Sequence, residues 1–431
     1  MNPKIVMPLW HTHDMSVLTI NAGSSSIRFA FYGVGEPSVV GDRPAVSERP
    51  VVRAPPAKLL DGQIERIGLA DTSLIVNESG CGSGSPQRLA VDGADHQSAV
   101  AFLMAWLEAH PLFTEVNAVG HRVVHGMRHT SPQRVTPELM SELKAITPFD
   151  PEHLPREIEF IDTVSRRFPR LPQVACFDTA FHRSMPRVAT ILPIPRRYES
   201  KGMQRYGFHG LSYTFLLQEL SRRGDPAAVR GRVVLAHLGN GASLAAVRDG
   251  QCIDTSMGFT PSAGLVMSTR SGDLDPGVMS FLALTEGMDA ATFQKMVNQE
   301  SGLLGVSETS SDIRDLLARE DKDVRAAEAL ALFCYQAKKW IGAFAGALGG
   351  LDTLVFAGGI GENAAVIRAR ICDGLQFLGI DLHEMRNAHS EALVSSDASR
   401  VAVRVIRTDE ESVIAGLTMG VLEADSRRIE P

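Results

Sequence analysis

Three things are scarce in this 431-residue sequence, and each scarcity argues against a class of protein. Basic charge is not in excess: 43 Lys and Arg stand against 50 Asp and Glu, a formal charge of -7. Nucleic acid as a bulk partner needs a cationic surface to displace phosphate counterions, so the balance argues against it while leaving room for a local anion site. Long apolar runs are missing. None approaches the ~18 residues of a membrane span, and Met1 to Met15 lacks the apolar core of a signal peptide. Paired cysteines are missing too. Cys81, Cys176, Cys252, Cys334 and Cys372 are scattered, odd in number and never spaced as CxxC. Free thiols in a reducing cytosol are the expectation. His11-x-His13 has a metal-ligand spacing, but a loosely ordered chain end is expected there.

What is present is ordinary for a globular enzyme of two or three domains: 44% hydrophobic, 22% charged, 38 glycines. The stretch from Val233 to Ser243 organises the reading. An apolar strand, Arg232 to Leu235, runs to His237-Leu238-Gly239-Asn240-Gly241, and Ala242 to Val247 returns as a second strand. Glycines two apart let backbone N–H groups face an anion. Such a tip wraps a phosphate or is a plain Asn-Gly turn. The pattern occurs earlier as well. Ser16 to Ile20 and Ile27 to Tyr32 flank Asn21-Ala-Gly-Ser-Ser-Ser26, whose amide and hydroxyls suit phosphate oxygens or hydrated Mg²⁺, or form a Ser-rich turn.

Along the chain, Val34 to Pro56 is Pro- and Gly-rich and reads as an exposed loop, and Ser79 to Ser85 as a flexible turn. Gln63 to Val76 predicts two strands, Asp95 to Ala109 a helix, and Val116 to Val124 a buried strand. His121 and His125 do not converge on a strand as they would on a helix. Arg122 inside that apolar strand must meet a carboxylate partner or an anionic substrate. Helices are expected over Pro137–Ile146 and Pro151–Phe168. Asp178 follows the strand Gln173–Phe177, at the carboxyl end where open α/β sheets hold ligands. Tyr206-Gly-Phe-His209-Gly opens the helix Ser212–Arg222, so His209 faces an anion or is a turn residue. Asp254 to Gly264 and Thr269 to Pro276, with Arg270 and Asp273, read as functional loops. Helices to Glu300 and over Asp312–Ala318 precede a long helix, Ala326–Leu348. The strand Thr353–Phe356 then leads through a glycine turn into a helix to Leu378, a phosphate-cradle arrangement. Val401–Ile406 is the last strand, and a C-terminal helix runs to about Glu423.

Taken together, the ordered motifs resemble the acetokinase family of acetate and propionate kinases, from about Val17 to Met419 and most weakly over Gly33–Val116. They are Asn21–Ser26, Gly120-His-Arg-Val-Val-His-Gly126, Phe177–His182, Tyr206–Gly210, His237–Gly241, Thr255–Pro261, Thr269-Arg270, Gly272-Asp273, Gly359–Asn363 and Thr408–Glu411. The resemblance implies an α/β chain of two similar domains of the actin, hexokinase and Hsp70 (ribonuclease H-like) type, with ATP in a cleft. It implies a discontinuous first domain, 1–179 plus 412–431, completed by the C-terminal helix. The nucleotide-binding domain would be 180–411, with a hinge near Asp178-Thr-Ala180. By motif, Arg122 and Arg270 resemble the arginines on the acyl carboxylate and transferring phosphoryl. His209 resembles the transition-state histidine and Asp178 the essential carboxylate. Asn21 and Glu410 resemble the Mg²⁺-side pair, with Mn²⁺ a substitute. Val124, Phe208 and Pro261 would line the acyl group. Arg28 and His237, Leu238, Gly239, Asn240 and Gly241 would meet ATP phosphates. Asp312, Ile313 and Arg314, with Gly359, Ile360, Gly361, Glu362 and Asn363, would hold the adenosine. A small carboxylic acid and ATP are the implied partners, in a cytoplasmic homodimer.

Ionised acetate needs no general base, so transfer rests on positioning and positive charge. Asp178 is then read as orienting Mg²⁺ or an arginine. Departures from the family pattern are Arg28 for Lys, Met127 for Gly, Thr147-Pro-Phe149-Asp150-Pro for Ala-Pro-Leu-His-Asn-Pro, and Leu211-Ser-Tyr213 for Thr-Ser-His. They imply a histidine replaced by Asp150, a pocket narrowed by Phe149, and one fewer polar or positive group near the site where Tyr213 replaces a histidine. Rival readings are a propionate or other short-chain fatty acid kinase, a nucleotide-gated module of the Hsp70 or actin type, and a sugar kinase.

Overall fold

A computed structural model describes residues 15–23, 26–33, 56–68, 71–78, 86–91 and 95–429. The His11-x-His13 spacing, Ser24 and Ser25 of the first hairpin tip, the Pro-rich segment up to residue 55, and Ser79–Ser85 with Cys81 lie outside the described residues. The chain divides into two compact units, Met1–Asp178 with Asp409–Pro431, and Thr179–Thr408.

The first unit is built on eight strands: β1 Ser16–Ala22, β2 Ser26–Gly33, β3 Ala57–Glu65, β4 Ser73–Glu78, β5 Gln87–Ala90, β6 Val116–Val123, β7 Gln133–Arg134 and β8 Gln173–Phe177. Their order is β5-β4-β3-β2-β1-β6-β8-β7. The first five form an antiparallel meander, and β6 and β8 extend it in parallel from β1. Every residue of β1 is buried, because both faces of the sheet are covered. Leu18 and Ile20 pack with Val100, Leu103, Phe160 and Val164 of the helices His96–Ala109 and Leu154–Arg167. Val17 faces the other way, toward Ala415, Met419 and Leu422 of the C-terminal helix Glu410–Ile429. Alternate residues of a strand point to opposite faces, which is why one apolar run serves two cores. That helix lies so close on β6 that a Cβ at Gly120 would meet Thr418 Oγ1 at 2.3 Å.

The second unit repeats the plan with five strands: β9 Arg232–Leu238, β10 Ala242–Arg248, β11 Gln251–Thr255, β12 Thr353–Ala357 and β13 Ala402–Val405, in the order β11-β10-β9-β12-β13. Again a hairpin meander precedes parallel strands. Each unit therefore has the layered α/β arrangement of the actin, hexokinase and Hsp70 type. Val233, Leu235 and Val355 pack with Leu216 and Leu220 of the helix Gly210–Arg222. The 25-residue helix Val324–Leu348, capped by Asp323, buries one face through Leu330, Phe333, Ile341 and Phe344.

Several expected elements shift. β5 and β11 are additions to the expected strands, since neither shows clear apolar alternation. β11 takes Asp254 and Thr255 out of the loop expected to start there. The helix expected from Pro151 begins at Leu154, because Asp150 Oδ1 first accepts the His153 N–H in a turn at 3.2 Å. The helix expected to Leu378 is broken into Gly358–Asn363, Ala365–Cys372 and a short 3-10 turn, Gln376–Leu378. Fully buried Arg368 is the cause: its Nη1 donates to Gly361 O and Glu362 O, acceptors that a continuous helix would use itself. The C-terminal helix runs to Ile429, beyond the expected Glu423.

Candidate active site

In the first unit, four of the motif residues meet. β6 carries Arg122 to the end of the sheet, and β8 ends at Phe177, which leaves Asp178 beside it. Arg122 donates from Nε (3.0 Å) and Nη2 (2.6 Å) to Asp178 Oδ2, and from Nη1 to Asn21 Oδ1 at 3.2 Å. Asn21 Nδ2 in turn donates to Glu410 Oε2 at 2.9 Å, joining the end of β1 to the start of the C-terminal helix. All four residues are buried or nearly so. Burial pulls the Arg122 pKa down, but Asp178, Glu410 and Glu157 more than offset it, and the guanidinium stays charged. Burial pushes the Glu410 carboxyl above its usual range; Arg122 opposes that and Asp178 adds to it. Arg122 thus has a carboxylate partner inside this unit.

The surroundings contain more acid than the motifs foretold. Glu157, 2% exposed, projects from the helix Leu154–Arg167 and accepts the Val124 N–H on Oε2 (3.0 Å) and Oε1 (3.3 Å). Asp150 is buried as well, its Oδ1 bonded to His153 Nδ1 at 2.9 Å. An imidazole therefore adjoins the position where one was expected to be missing. Phe149 packs against His125 in a tilted arrangement, with ring centroids 5.7 Å apart and planes at 55°. Val124 is buried at 2% exposure. Arg28 is exposed on β2, its charge acting on Glu410 and Glu411, and it lines a surface pocket of about 220 Å³ with Lys58, Asp61, Gln63, Asn77 and Glu411.

In the second unit a second group forms around the β9–β10 turn. His209 opens the helix Gly210–Arg222 in the left-handed region at φ 58°, which few side chains adopt. Its ring stacks on His237 with centroids 4.4 Å apart. A Cβ at Gly241 would lie 3.2 Å from His209 Nε2 and 3.5 Å from Arg270 Nη1, so turn, histidine and arginine converge. His209 Nδ1 bonds Ser243 Oγ at 2.8 Å, and Ser243 Oγ also bonds the Tyr213 hydroxyl. Tyr213 therefore does not leave the polar gap expected of it: the phenol reaches His209 through Ser243. His237 Nδ1 bonds Ser212 Oγ at 2.8 Å. Arg270 Nη1 donates to Pro261 O at 3.1 Å. Gly264 and Gly272, both at positive φ, let Asp273 Oδ1 accept the Gly264 N–H at 2.8 Å and pin the arginine's loop. Phe208 is buried, its carbonyl bonded to His182 Nε2.

The β12–helix turn lies against the same tip. Ala357 pairs with His237, Leu238 is buried, and a Cβ at Gly239 would be 3.9 Å from Gly359 N. Gly239 N–H donates to Gly241 O, and Ser268 N–H to Asn240 O. The cradle is narrower than expected: the Gly358 N–H is taken by Glu362 Oε1 at 3.0 Å, which also accepts the Thr408 N–H. Gly359 and Asn363 are exposed, Ile360 half-buried and Gly361 buried. Asp312 caps the short helix Ile313–Leu317 and ion-pairs with exposed Arg314 at 2.6 Å, while Ile313 is buried.

Two contributors to the site and one surface feature escaped the sequence reading. Glu157 had a signal: it sits on the apolar stripe Leu154, Ile158, Ile161, Val164, where a carboxylate needs a reason. Ser243 had none. The third is the helix Gly277–Glu286, whose sequence GVMSFLALTE is apolar yet has no buried residue, with Phe281 64% and Leu284 87% exposed.

Known proteins resemble this chain over nearly its whole length. The sequence pattern of the acetokinase family matches residues 16–416. An acetate kinase of Bacteroides fragilis is 38% identical over 419 residues, covering 95% of this chain and all of that protein. A propionate kinase of Citrobacter rodentium is 39% identical over 418 residues, covering 95% and 98%. The crystal structure of Porphyromonas gingivalis acetate kinase superposes with a TM-score of 0.79 at 34% identity, covering 95% of this chain and 100% of that one.

Proposed function

The chain belongs to the acetokinase family, and from that premise we propose that it is an acetate kinase. It would transfer the γ-phosphoryl of ATP reversibly and in line to acetate, giving acetyl phosphate and ADP; propionate or another short acid is the alternative acceptor. The observation that carries this reading is the convergence of Gly241, His209 and Arg270, a glycine turn beside a histidine and an arginine. Donors of this kind suit charge that builds on equatorial phosphoryl oxygens. Arg122, braced by Asp178 and Asn21, suits a carboxylate, for which a guanidinium offers two parallel donors. Asp178 Oδ2 accepts twice from that arginine, which favours an orienting role over proton abstraction; acetate carries no proton to remove at pH 7.

A magnesium ion fits the residues present. Among the described residues no cluster of three or more His, Cys, Asp or Glu could cage a metal. Mg²⁺ does not require one: it keeps several waters and takes one or two protein oxygens beside substrate phosphates. Asn21 Oδ1 and the Glu410 carboxylate would be those oxygens, and Mn²⁺ could replace it. Bound there, the cation would supply the positive charge that this acid-rich surrounding lacks. Arg28 and the tip His237–Gly241 would bind ATP phosphates. Asp312–Arg314 and Gly359–Asn363 would bind the nucleoside. Val124, Phe208 and Pro261 would bound the acyl group.

The exposed apolar helix Gly277–Glu286 supports a homodimer, since a monomer gains nothing from leaving Phe281 and Leu284 in water. No helix among the described residues is long and apolar enough to cross a membrane, and four cysteines are free and buried. Both facts are compatible with a cytoplasmic enzyme. The test is phosphoryl transfer from ATP to acetate, propionate and butyrate, with and without Mg²⁺, trapping acyl phosphate as the hydroxamate. Acetyl hydroxamate that requires ATP and Mg²⁺ is expected; none from any short acid would overturn the proposal.

A further inference from the structure

We propose that Glu157 is a positioning residue: from the helix Leu154–Arg167 it fixes the end of β6 and so aims the Arg122 guanidinium at the substrate carboxylate. The inference rests on the acid kinase reading above and deepens it.

The backbone makes the first part of the case. The ladder between β6 and β8 runs from Val119↔Gln173 to Val123↔Phe177 and stops. Val124 is the next residue, and its N–H has no strand to donate to. Both Glu157 oxygens take that N–H, at 3.0 and 3.3 Å. A side chain from a neighbouring helix thus replaces the missing strand partner two residues beyond Arg122. Val124 itself is buried, so the N–H cannot fall back on water.

Charge makes the second part. A carboxylate 2% exposed, with one backbone donor, is an expensive way to satisfy an N–H; an amide side chain would serve. The groups that face Glu157 are Arg122 from β6, Asp178 after β8, and Asp150, whose own partner is His153. Burial drives the Glu157 carboxyl well above its usual range, Arg122 opposes this, and Asp150 and Asp178 add to it. While Glu157 is protonated, Arg122 answers to fewer anions and keeps more attraction for an incoming one. As pH rises through the raised pKa, Glu157 ionises and competes with the substrate carboxylate for the same cation.

The experiment is steady-state kinetics of the full-length enzyme, Glu157→Gln and Glu157→Ala, from pH 6 to 9. KM for acetate, KM for ATP and kcat are measured separately, with circular dichroism to confirm folding. Wild-type acyl phosphate formation comes first, because its absence sinks the kinase reading and not this one. In Glu157→Ala the acetate KM should rise about 10- to 100-fold, the scale of losing a buried hydrogen bond, while the ATP KM stays within about twofold. Glu157→Gln keeps an oxygen for the Val124 N–H and should hold kcat near wild type. The wild-type acetate KM should climb toward alkaline pH, and that of Glu157→Gln should not. An unchanged acetate KM in Glu157→Ala would overturn the proposal. So would acetate and ATP KM rising together, or a Glu157→Gln profile that parallels wild type. If Glu157→Ala does not fold, the Glu157→Gln profile decides alone.

Discussion

Arg122 and Asp178 are joined twice through a single oxygen: Nε at 3.0 Å and Nη2 at 2.6 Å both reach Oδ2. The Asp178 side chain is 1% exposed and that of Arg122 14%. Removing one partner of such a pair leaves the other charged and poorly solvated, a loss of about 3–5 kcal/mol. Asp178→Ala should therefore unfold at clearly lower denaturant concentration, and Asp178→Asn, which keeps the shape, should lose less. Arg122→Lys should lose activity, because one ammonium cannot span Asp178 and Asn21 together. Denaturant melts and acetate-dependent turnover check both halves. Equal stability of Asp178→Ala and wild type would mean the pair is not coupled.

Arg270 Nη1 rests on the Pro261 carbonyl at 3.1 Å. That neutral acceptor helps to hold the guanidinium beside the β9–β10 turn. Arg270→Ala should lower kcat by roughly 10²–10⁵, the scale of an arginine acting on a transferring phosphoryl. The thermal midpoint should barely move. Wild-type turnover would remove Arg270 from the chemistry.

Both hairpins were legible because an apolar run, a glycine-bearing polar tip and a second run are local features. The same holds for β6, β8 and β12, which are short, buried and bounded by turn residues. What could not be read was long-range. Nothing near Val124 says that its N–H outlives the β6–β8 ladder, so Glu157 could not be assigned to it. Nothing near His209 says that Ser243, on β10, will carry Tyr213 to it. The break after Asn363 depends on Arg368 turning back on its own helix, where spacing alone predicts continuity. The segment Gly277–Glu286 reads as a helix, but its lack of a buried face is a property of the packed chain.

Two glycines, one in the β9–β10 turn and one in the turn after β12, should separate activity from stability. At Gly241 a Cβ would press on His209 Nε2 at 3.2 Å, the end of a side chain, and the backbone is not in the left-handed region. Gly241→Ala should lower turnover with a small change in thermal midpoint. Gly358 is at φ +74°, and a Cβ there would meet the Leu238 carbonyl oxygen at 2.6 Å. Gly358→Ala has no flexible neighbour to displace and should lower stability first. Paired melts and kinetics distinguish the two, and the reverse pattern would contradict the assignment of Gly241 to the site.

Phe149 occupies the turn Thr147–Phe149 and packs on the His125 ring. If it narrows the acyl pocket, acetate should be preferred over propionate in kcat/KM. One methylene is worth about 1–3 kcal/mol in such a pocket, or roughly 10- to 200-fold. Phe149→Leu should move the ratio toward propionate. A wild-type preference for propionate would overturn the idea.

The pH dependence of stability should carry two opposing signs. His121, inside β6 and bonded to Gln173 Oε1 at 2.8 Å, has its pKa lowered by burial to about 4. An unfolded chain takes up that proton near pH 6.5, before the folded one does. Between about pH 6.5 and 4 the unfolded state binds more protons, so stability falls as pH falls. Buried Glu157 and Glu410 work the other way. Burial raises both carboxyls, so the folded state holds protons that the unfolded state releases above about 4.5. Their contribution is complete at low pH and is lost as pH rises through the raised values. His121→Gln retains a neutral donor toward Gln173 and removes only the titration. Its thermal midpoint should fall less steeply than that of wild type from pH 6.5 to 4. Glu157→Gln should flatten the curve on the alkaline side instead. If both variants track wild type across the whole range, neither group is held away from its ordinary protonation by the fold.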